Sequence, residues 1–204
     1  MKNRLNEQEK FWKGNFGDNY ISRNSNKNII NSNVHHFSKI KNYLSKTNSV
    51  IEFGSNIGLN LLALKKINKK MELNAVEINK EAAQILNKNN FVKVYEESIL
   101  NFNINKKFDL TFIKGVLIHI NPNELKKVYQ KLYTFSKKYI YIAEYYNPTP
   151  VSINYRGYKN KLFKRDFVGE FLDIYKDVKL VEYGFAYHKD KFPQDDLNWY
   201  LLKR

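Results

Sequence analysis

Residues 51–58 read Ile51-Glu52-Phe53-Gly54-Ser55-Asn56-Ile57-Gly58. An apolar, β-type run (Val50, Ile51, Phe53) ends in a carboxylate and two glycines, and a helical pattern from Leu59 to Ile67 follows directly. A strand that stops at glycines and opens onto a helix lets the backbone approach a ligand closely. It also aims the free N–H groups of the helix at that ligand. About twenty residues on, a second apolar run from Leu73 to Val76 ends in Glu77, placed like the acid that grips a ribose in nucleotide-binding α/β folds. Two acids and two glycines at successive strand ends predict a small-molecule cofactor site.

Working outward, strand-length apolar and aromatic runs recur at Ser49–Phe53, Glu72–Ile78, Phe91–Tyr95, Phe108–Lys114, Tyr139–Tyr145, Val178–Gly184 and Trp199–Lys203. Between the early ones lie segments with 3.6-residue apolar spacing, Leu59–Ile67, Lys80–Asn87 and Pro122–Phe135. Alternating strands and helices predict an α/β fold, Rossmann-like and doubly wound: a mostly parallel seven-stranded sheet covered on both faces. The last two strands lack a convincing long helix between them, so they are expected to form an antiparallel edge hairpin. Asn28–Leu44 reads as a helix and residues 1–26 as a polar lead-in bearing aromatics. With 204 residues and no internal repeat or linker, one domain is expected: residues 1–46 as lead-in and helix, residues 47–204 as the core, with a cover loop at about 145–165.

Composition narrows the function. The hydrophobic content of 43% excludes wholesale disorder. No apolar run approaches the roughly 18 residues that a membrane span needs, and no signal peptide is evident, so a cytoplasmic protein with no membrane partner is expected. Cysteine is absent, which removes disulfides, thiolate nucleophiles and cysteine-ligated metals. The histidines and acids show no short metal-binding spacing, so no metal is expected. The net charge of +15 is nearly all dispersed lysine, without the basic block and interleaved aromatics of a nucleic-acid groove. It fits an electropositive mouth that steers an anionic small molecule.

The glycine turn also discriminates between cofactors. Gly54 and Gly58 are separated by three residues and preceded by Glu52, whereas the dinucleotide fingerprint is G-x-G-x-x-G. The form E-x-G-x-x-x-G resembles the first motif of class I S-adenosylmethionine (SAM) methyltransferases. A pyrophosphate disfavours a nearby anion, while the ammonium and sulfonium of SAM favour one. On this reading Glu52, Gly54, Ser55, Asn56 and Gly58 surround the methionine end, and Glu77 with Ile78 holds the ribose. Ser98 and Ile99 flank the adenine, and Lys114 lies at the end of the fourth strand. A rival is an NAD-dependent sugar-modifying enzyme, because Tyr133…Lys137 and Tyr155…Lys159 match the Y-x-x-x-K pair of short-chain dehydrogenases. In a chain with 15 tyrosines and abundant lysine such matches arise by chance.

A closer resemblance runs through most of the chain. The segments GSNIGLNLLAL (54–64), VEIN (76–79), KGVLIHINP (114–122), AEYYNPTPVSINYRGY (143–158), LFKRDFVGE (162–170) and YGFAYHKDKFPQDDLNWYLL (183–202) resemble the methylases associated with pseudaminic acid biosynthesis. That resemblance implies SAM-dependent methylation of a sugar, a nucleotide-activated sugar or a nonulosonic-acid-type glycan precursor. Another small metabolite or a peptide is the alternative acceptor.

In a doubly wound sheet the ligand crevice lies beyond the carboxyl ends of the strands. Segments leaving those ends supply the acceptor-site candidates. His119 is the first choice of general base, because imidazole titrates near neutrality. Glu144 and Tyr146 follow. Tyr145, Asn147, Tyr155, Arg156 and Arg165 are expected on the acceptor, joined by Arg23 from the lead-in. Arginine is rare here (Arg4, Arg23, Arg156, Arg165 and Arg204), and its bidentate fork suits a phosphate or carboxylate. A purely structural role for Arg165 would pair it with Asp166.

Overall fold

The computed structural model describes residues 5–23 and 28–204. Arg4 and the end of the expected lead-in, residues 24–26, lie outside them.

Four helices precede the sheet: α1 (Glu7–Lys13), α2 (Asn15–Arg23), α3 (Asn28–Ser38) and α4 (Lys41–Leu44). Among the described residues the lead-in is therefore helical. Asn6 caps α1 by accepting from the Glu9 amide at 2.8 Å, and the Glu9 side chain accepts from the Asn6 amide at 2.8 Å, a reciprocal box that satisfies two end donors. The single helix expected over 28–44 is broken after Ser38, where Ile40 turns inward and is buried. Then come β1 (Ser49–Phe53), α5 (Leu59–Ile67), β2 (Glu72–Glu77), α6 (Lys80–Asn87), β3 (Val92–Glu96) and β4 (Phe108–Lys114). They are followed by α7 (Leu125–Phe135), β5 (Ser136–Glu144), β6 (Val151–Tyr155), β7 (Tyr158–Lys164), α8 (Phe167–Ile174), β8 (Lys179–Ala186) and β9 (Leu197–Lys203).

Seven strands form one sheet in the order β3-β2-β1-β4-β5-β9-β8. The first five are parallel, and β9 runs antiparallel to both β5 and β8. This is the expected doubly wound sheet with its antiparallel edge hairpin. Successive side chains alternate across it: Ile140 and Ile142 enter the core under α7 and α8, while Tyr141 and Ala143 enter the one beneath α3 and α5. The order reverses between β1 and β4, which makes their carboxyl ends the switch-point crevice.

Two expectations are corrected. The cover over 145–165 is a hairpin, β6 against β7, turned by Arg156 and Gly157 with φ of 49° and 88°. Positive φ at both central residues matches the twist of hairpin strands. Helix α8 was unforeseen. Asp166 caps it by accepting from the Gly169 amide at 2.8 Å, so Asp166 is not the partner of Arg165, whose Nε lies 3.2 Å from Glu170 Oε1. No helix among the described residues is long and apolar enough to cross a membrane.

Candidate functional site

A cavity of about 680 Å³ lies at the carboxyl ends of β1, β2, β4 and β5, roofed by α1, α2, the β6–β7 turn and the loop before β9. The turn after β1 forms its floor. Gly54 has φ +75°, and an added Cβ there would stand 2.7 Å from Val116 Cγ2. Gly54, Ser55 and Asn56 line the cavity; Gly58 does not. Gly58 (φ +79°) faces α6, where a Cβ would fall 2.3 Å from Leu86 Cδ1, so this glycine serves packing between α5 and α6. Four of the turn's amide donors are already used. Gly54 and Ser55 donate to the Val76 carbonyl, Asn56 donates to Glu77 Oε2 at 2.6 Å, and Gly58 donates to Ser55 O.

Glu77, at the tip of β2, lines the cavity with both oxygens engaged, the second by the Asn79 amide at 2.7 Å. Burial raises its pKa and the amides of Asn79, Asn56 and Ile78 oppose the rise. Ile78, Ser98 and Ile99 continue this wall, and the Ser98 hydroxyl donates to Glu9, which ties α1 down over it. Glu52 is fully buried and sits behind Asn60, whose amide donates to Glu52 Oε1 at 2.7 Å. Asn60 itself lines the cavity. Burial pushes the Glu52 carboxyl up to about 8, opposed by Asn60 and Lys114. Glu144 accepts from the Val116 and Leu117 amides, both at 2.8 Å, and burial lifts it to about 7.

The unpartnered buried atoms around this floor share one character. Glu52 Oε2, Asn56 Oδ1, Asn60 Oδ1, Glu144 Oε2 and Ser55 Oγ have no hydrogen-bond partner. All are acceptors, the hydroxyl being a donor as well. Buried acceptors without donors are costly, and this set calls for a cationic, donor-rich group.

The other end of the cavity is aromatic. His119 packs between Trp12 and Tyr155, with ring centroids 4.6 and 4.8 Å away, and Tyr20 stands 5.2 Å from Trp12. The His119 Nδ1 lies 2.6 Å from the Lys161 carbonyl, which can only accept, so Nδ1 carries the proton. Burial lowers its pKa to about 4. Tyr145 hydrogen-bonds Asp195, and Lys114 is held down by burial against the pull of Asp195, Glu52 and Glu144. Arg156 and Arg23 also line the cavity, Arg23 over the Phe16 ring at 4.9 Å. An arginine at φ 49° is an unusual conformation and points to a requirement at that turn.

The structure thus brings Gly54, Ser55, Asn56, Glu77, Ile78, Ser98, Ile99, Lys114, His119, Glu144, Tyr145, Tyr155, Arg156 and Arg23 around one cavity. It places Tyr146 and Asn147 on the surface outside it, and Arg165 beside Tyr146 and Glu170. The expected electropositive mouth is not what lines the cavity. Arg23, Lys114 and Arg156 are matched there by Glu9, Glu77, Glu144 and Asp195. Local sequence signals do not single out Trp12, Tyr20, Asn60 or Asp195, which line the cavity with His188. Among the described residues no group of three or more His, Asp or Glu side chains is placed to hold a metal ion.

No protein-family model matches the chain, and comparison with curated protein sequences finds no match. Solved structures do match. The plantazolicin methyltransferase BpumL in complex with S-adenosylhomocysteine (SAH) is 16% identical, with 97% of this chain and 94% of that chain covered and a TM-score of 0.69. Magnesium protoporphyrin IX methyltransferase (ChlM) from Synechocystis PCC 6803, with bound SAM, is 11% identical over 100% of both chains, with a TM-score of 0.69. The 1,6-didemethyltoxoflavin-N1-methyltransferase of Burkholderia thailandensis is 10% identical, with 100% of this chain and 93% of that chain covered and a TM-score of 0.73. At these identities the likeness establishes the fold, that of the class I methyltransferases.

Proposed function

We propose that this chain is a SAM-dependent methyltransferase acting in the cytoplasm on a small-molecule acceptor, and that the acceptor is a sugar, a nucleotide-activated sugar or a nonulosonic-acid-type glycan precursor. One observation carries the cofactor assignment: the cluster of unpartnered buried acceptors at the floor of the cavity. The methionyl ammonium supplies the donors they lack. A pyrophosphate would meet carboxylates there, and amides of the turn that are already engaged. When bound, SAM supplies an electrophilic methyl on a sulfonium, open to in-line displacement by an acceptor oxygen or nitrogen.

The protein's own part is binding, orientation and exclusion of water. Asn56 and Asn60 would receive the ammonium end, with Glu52 behind Asn60 as the counter-charge. Glu77 keeps lone pairs for the ribose hydroxyls, its two backbone donors fixing the carboxylate in place. Ser98 and Ile99 bound the adenine, and α1 closes over them through Glu9. At the acceptor end, Trp12, Tyr20 and Tyr155 offer ring faces to the C–H face of a sugar, while Arg23 and Arg156 flank the mouth as anchors for a carboxylate or phosphate. The resemblance in 143–170 and 183–202 supports this acceptor. The same rings suit a planar heteroaromatic acceptor, and 1,6-didemethyltoxoflavin is the bound acceptor in one neighbour's structure.

Titration calorimetry with SAH and with NAD tests the cofactor. SAH is expected to bind and NAD not, and tight NAD binding without SAH binding would overturn the assignment. A second test separates the two ends of the cavity. Arg156→Asn keeps a residue tolerant of the left-handed turn. It is therefore expected to leave SAH affinity within about twofold while raising the KM for an anionic sugar nucleotide roughly tenfold or more, the usual scale for a charge-assisted hydrogen bond. Arg165→Ala, outside the cavity, should change neither. Equal loss of SAH binding in both variants would refute this division.

A further inference from the structure

Beyond the residues that bind, a second histidine borders the cavity with its own carboxylate. His188 lies in the loop between β8 and β9 and lines the cavity beside Pro193, Gln194 and Asp195. Its Nδ1 is 2.8 and 2.9 Å from the two oxygens of Asp196, and its backbone amide donates to Asp196 Oδ1 at 2.9 Å. Nδ1 meets both oxygens of the carboxylate, and the backbone amide binds the same group, which orients the ring. Hydrogen bonds from the His188 ring and backbone amide keep Asp196 below the usual carboxylate range, hence ionised and accepting. Nδ1 therefore carries the hydrogen, and Nε2 presents its lone pair without a hydrogen-bond partner among the described residues.

We propose that His188, oriented by Asp196, is the general base that takes the acceptor's proton during methyl transfer. This rests on the methyltransferase reading above. In the step, a lone pair of the acceptor oxygen or nitrogen forms the new bond to the methyl carbon. The carbon–sulfur bond breaks, and its electron pair stays on sulfur as the neutral thioether of SAH. The proton leaving the acceptor passes to Nε2, and Asp196 stabilises the imidazolium. Side-chain exposures of 53% for His188 and 47% for Asp196 let that proton pass on to water.

The rivals within the cavity are placed less well. His119 is buried, and burial leaves it a weak proton acceptor. Glu144 has one oxygen committed to two amides and the other enclosed in protein. The charged and titratable groups around the His188 loop are Tyr187, whose ring meets that of His188 at 4.6 Å, Lys189, Asp190, Lys191 and Asp195 on the loop itself, Lys164 of β7, Lys114 of β4, Tyr145 after β5, and His35 of α3 stacked on Phe192.

Three measurements test the proposal. Calorimetry with SAH on the wild type and on His188→Ala comes first. Both should bind within about threefold of each other, and absence of binding to the wild type would refute the methyltransferase reading itself. Imidazole ¹⁵N spectra of the SAH complex should show the hydrogen on Nδ1 of His188, a preference lost in Asp196→Asn. A neutral wild-type ring with its hydrogen on Nε2 would overturn the proposal without an acceptor being needed. Finally, methyl transfer from radiolabelled SAM to CMP- and UDP-activated amino sugars should fall at least a hundredfold in kcat for His188→Ala. KM should hardly change, and added imidazole should restore rate. The acid limb of the kcat profile should vanish in this variant. If it persists there and vanishes in Glu144→Gln, Glu144 is the base and the assignment to His188 fails.

Discussion

Replacing Glu52 by glutamine is expected to stabilise the ligand-free protein at alkaline pH while removing most of its affinity for SAH. The two effects share one cause. Glu52 lies inside β1 with no exposed surface, one oxygen bonded by Asn60 and the other without a partner. Its carboxyl rises from 4.5 in the unfolded chain to about 8 when folded. Between those values the folded protein holds a proton that the unfolded chain releases, so stability is highest below 4.5, falls as pH rises, and levels off above 8. A tenfold change in proton affinity corresponds to about 1.4 kcal/mol, so Glu52 costs the free protein a few kcal/mol at pH 8.5. Glutamine has no such titration. The variant should melt roughly 5–10 °C higher than wild type at pH 8.5 and close to wild type at pH 4.5.

A bound ammonium reverses the balance by favouring the ionised carboxylate. SAH affinity should therefore fall in Glu52→Gln by roughly 30-fold or more, the cost of removing one partner of a desolvated charge pair. Proton release gives a second readout. At pH 6.5 the α-amino group of SAH, a free amino-acid ammonium that titrates well above neutrality, is already protonated, whereas Glu52 is still protonated in the free protein. The wild type should therefore expel close to one proton per SAH bound, measured calorimetrically in buffers of different ionisation enthalpy. Glu52→Gln should expel almost none. Unchanged affinity together with unchanged proton release would show that Glu52 does not serve the cofactor.

How far the site was legible depended on whether its signal was local. The β1 turn, Glu77 and the alternation of strands and helices all follow from residues adjacent in sequence, since strand parity and glycine conformation are short-range properties. The aromatic wall was not readable in this way. Trp12 and Tyr20 sit on helices whose docking depends on Glu9 reaching Ser98, Asp18 reaching Asn79 and Glu7 reaching Lys161, partners up to 154 residues apart. Nothing in the local spacing of 1–26 announces such contacts. Tyr146, Asn147 and Arg165 show the converse error. Tyr146 and Asn147 follow a strand end that faces the cavity, but the chain turns outward after Tyr145 and carries them away, and Arg165, after β7, is held by Glu170 outside it. The dyad of His188 and Asp196 is eight residues apart in an irregular loop, a spacing with no helical or strand period to single it out.

Gly58→Ala offers the sharpest separation of packing from ligand binding, and it is expected to destabilise the fold without touching the cavity. Two costs add. Alanine at φ +79° takes on left-handed strain of about 1–2 kcal/mol. Its Cβ would also stand 2.3 Å from Leu86 Cδ1, on a fully buried side chain, and overpacking of this kind costs about 1–3 kcal/mol. Urea unfolding should thus show a loss of roughly 2–5 kcal/mol with an unchanged m-value. The clash belongs to a pair, so a double-mutant cycle isolates it. Leu86→Ala alone costs the burial of a core leucine, and the double variant should be more stable than the sum of the single effects by about 1–3 kcal/mol. The strain at φ +79° remains in both backgrounds and cancels from the cycle. At temperatures where it remains folded, Gly58→Ala should bind SAH like wild type. Gly54→Ala, whose Cβ meets Val116 inside the cavity, should lose binding as well as stability. A Gly58→Ala protein as stable as wild type but unable to bind SAH would return Gly58 to the ligand and remove α6 from the explanation.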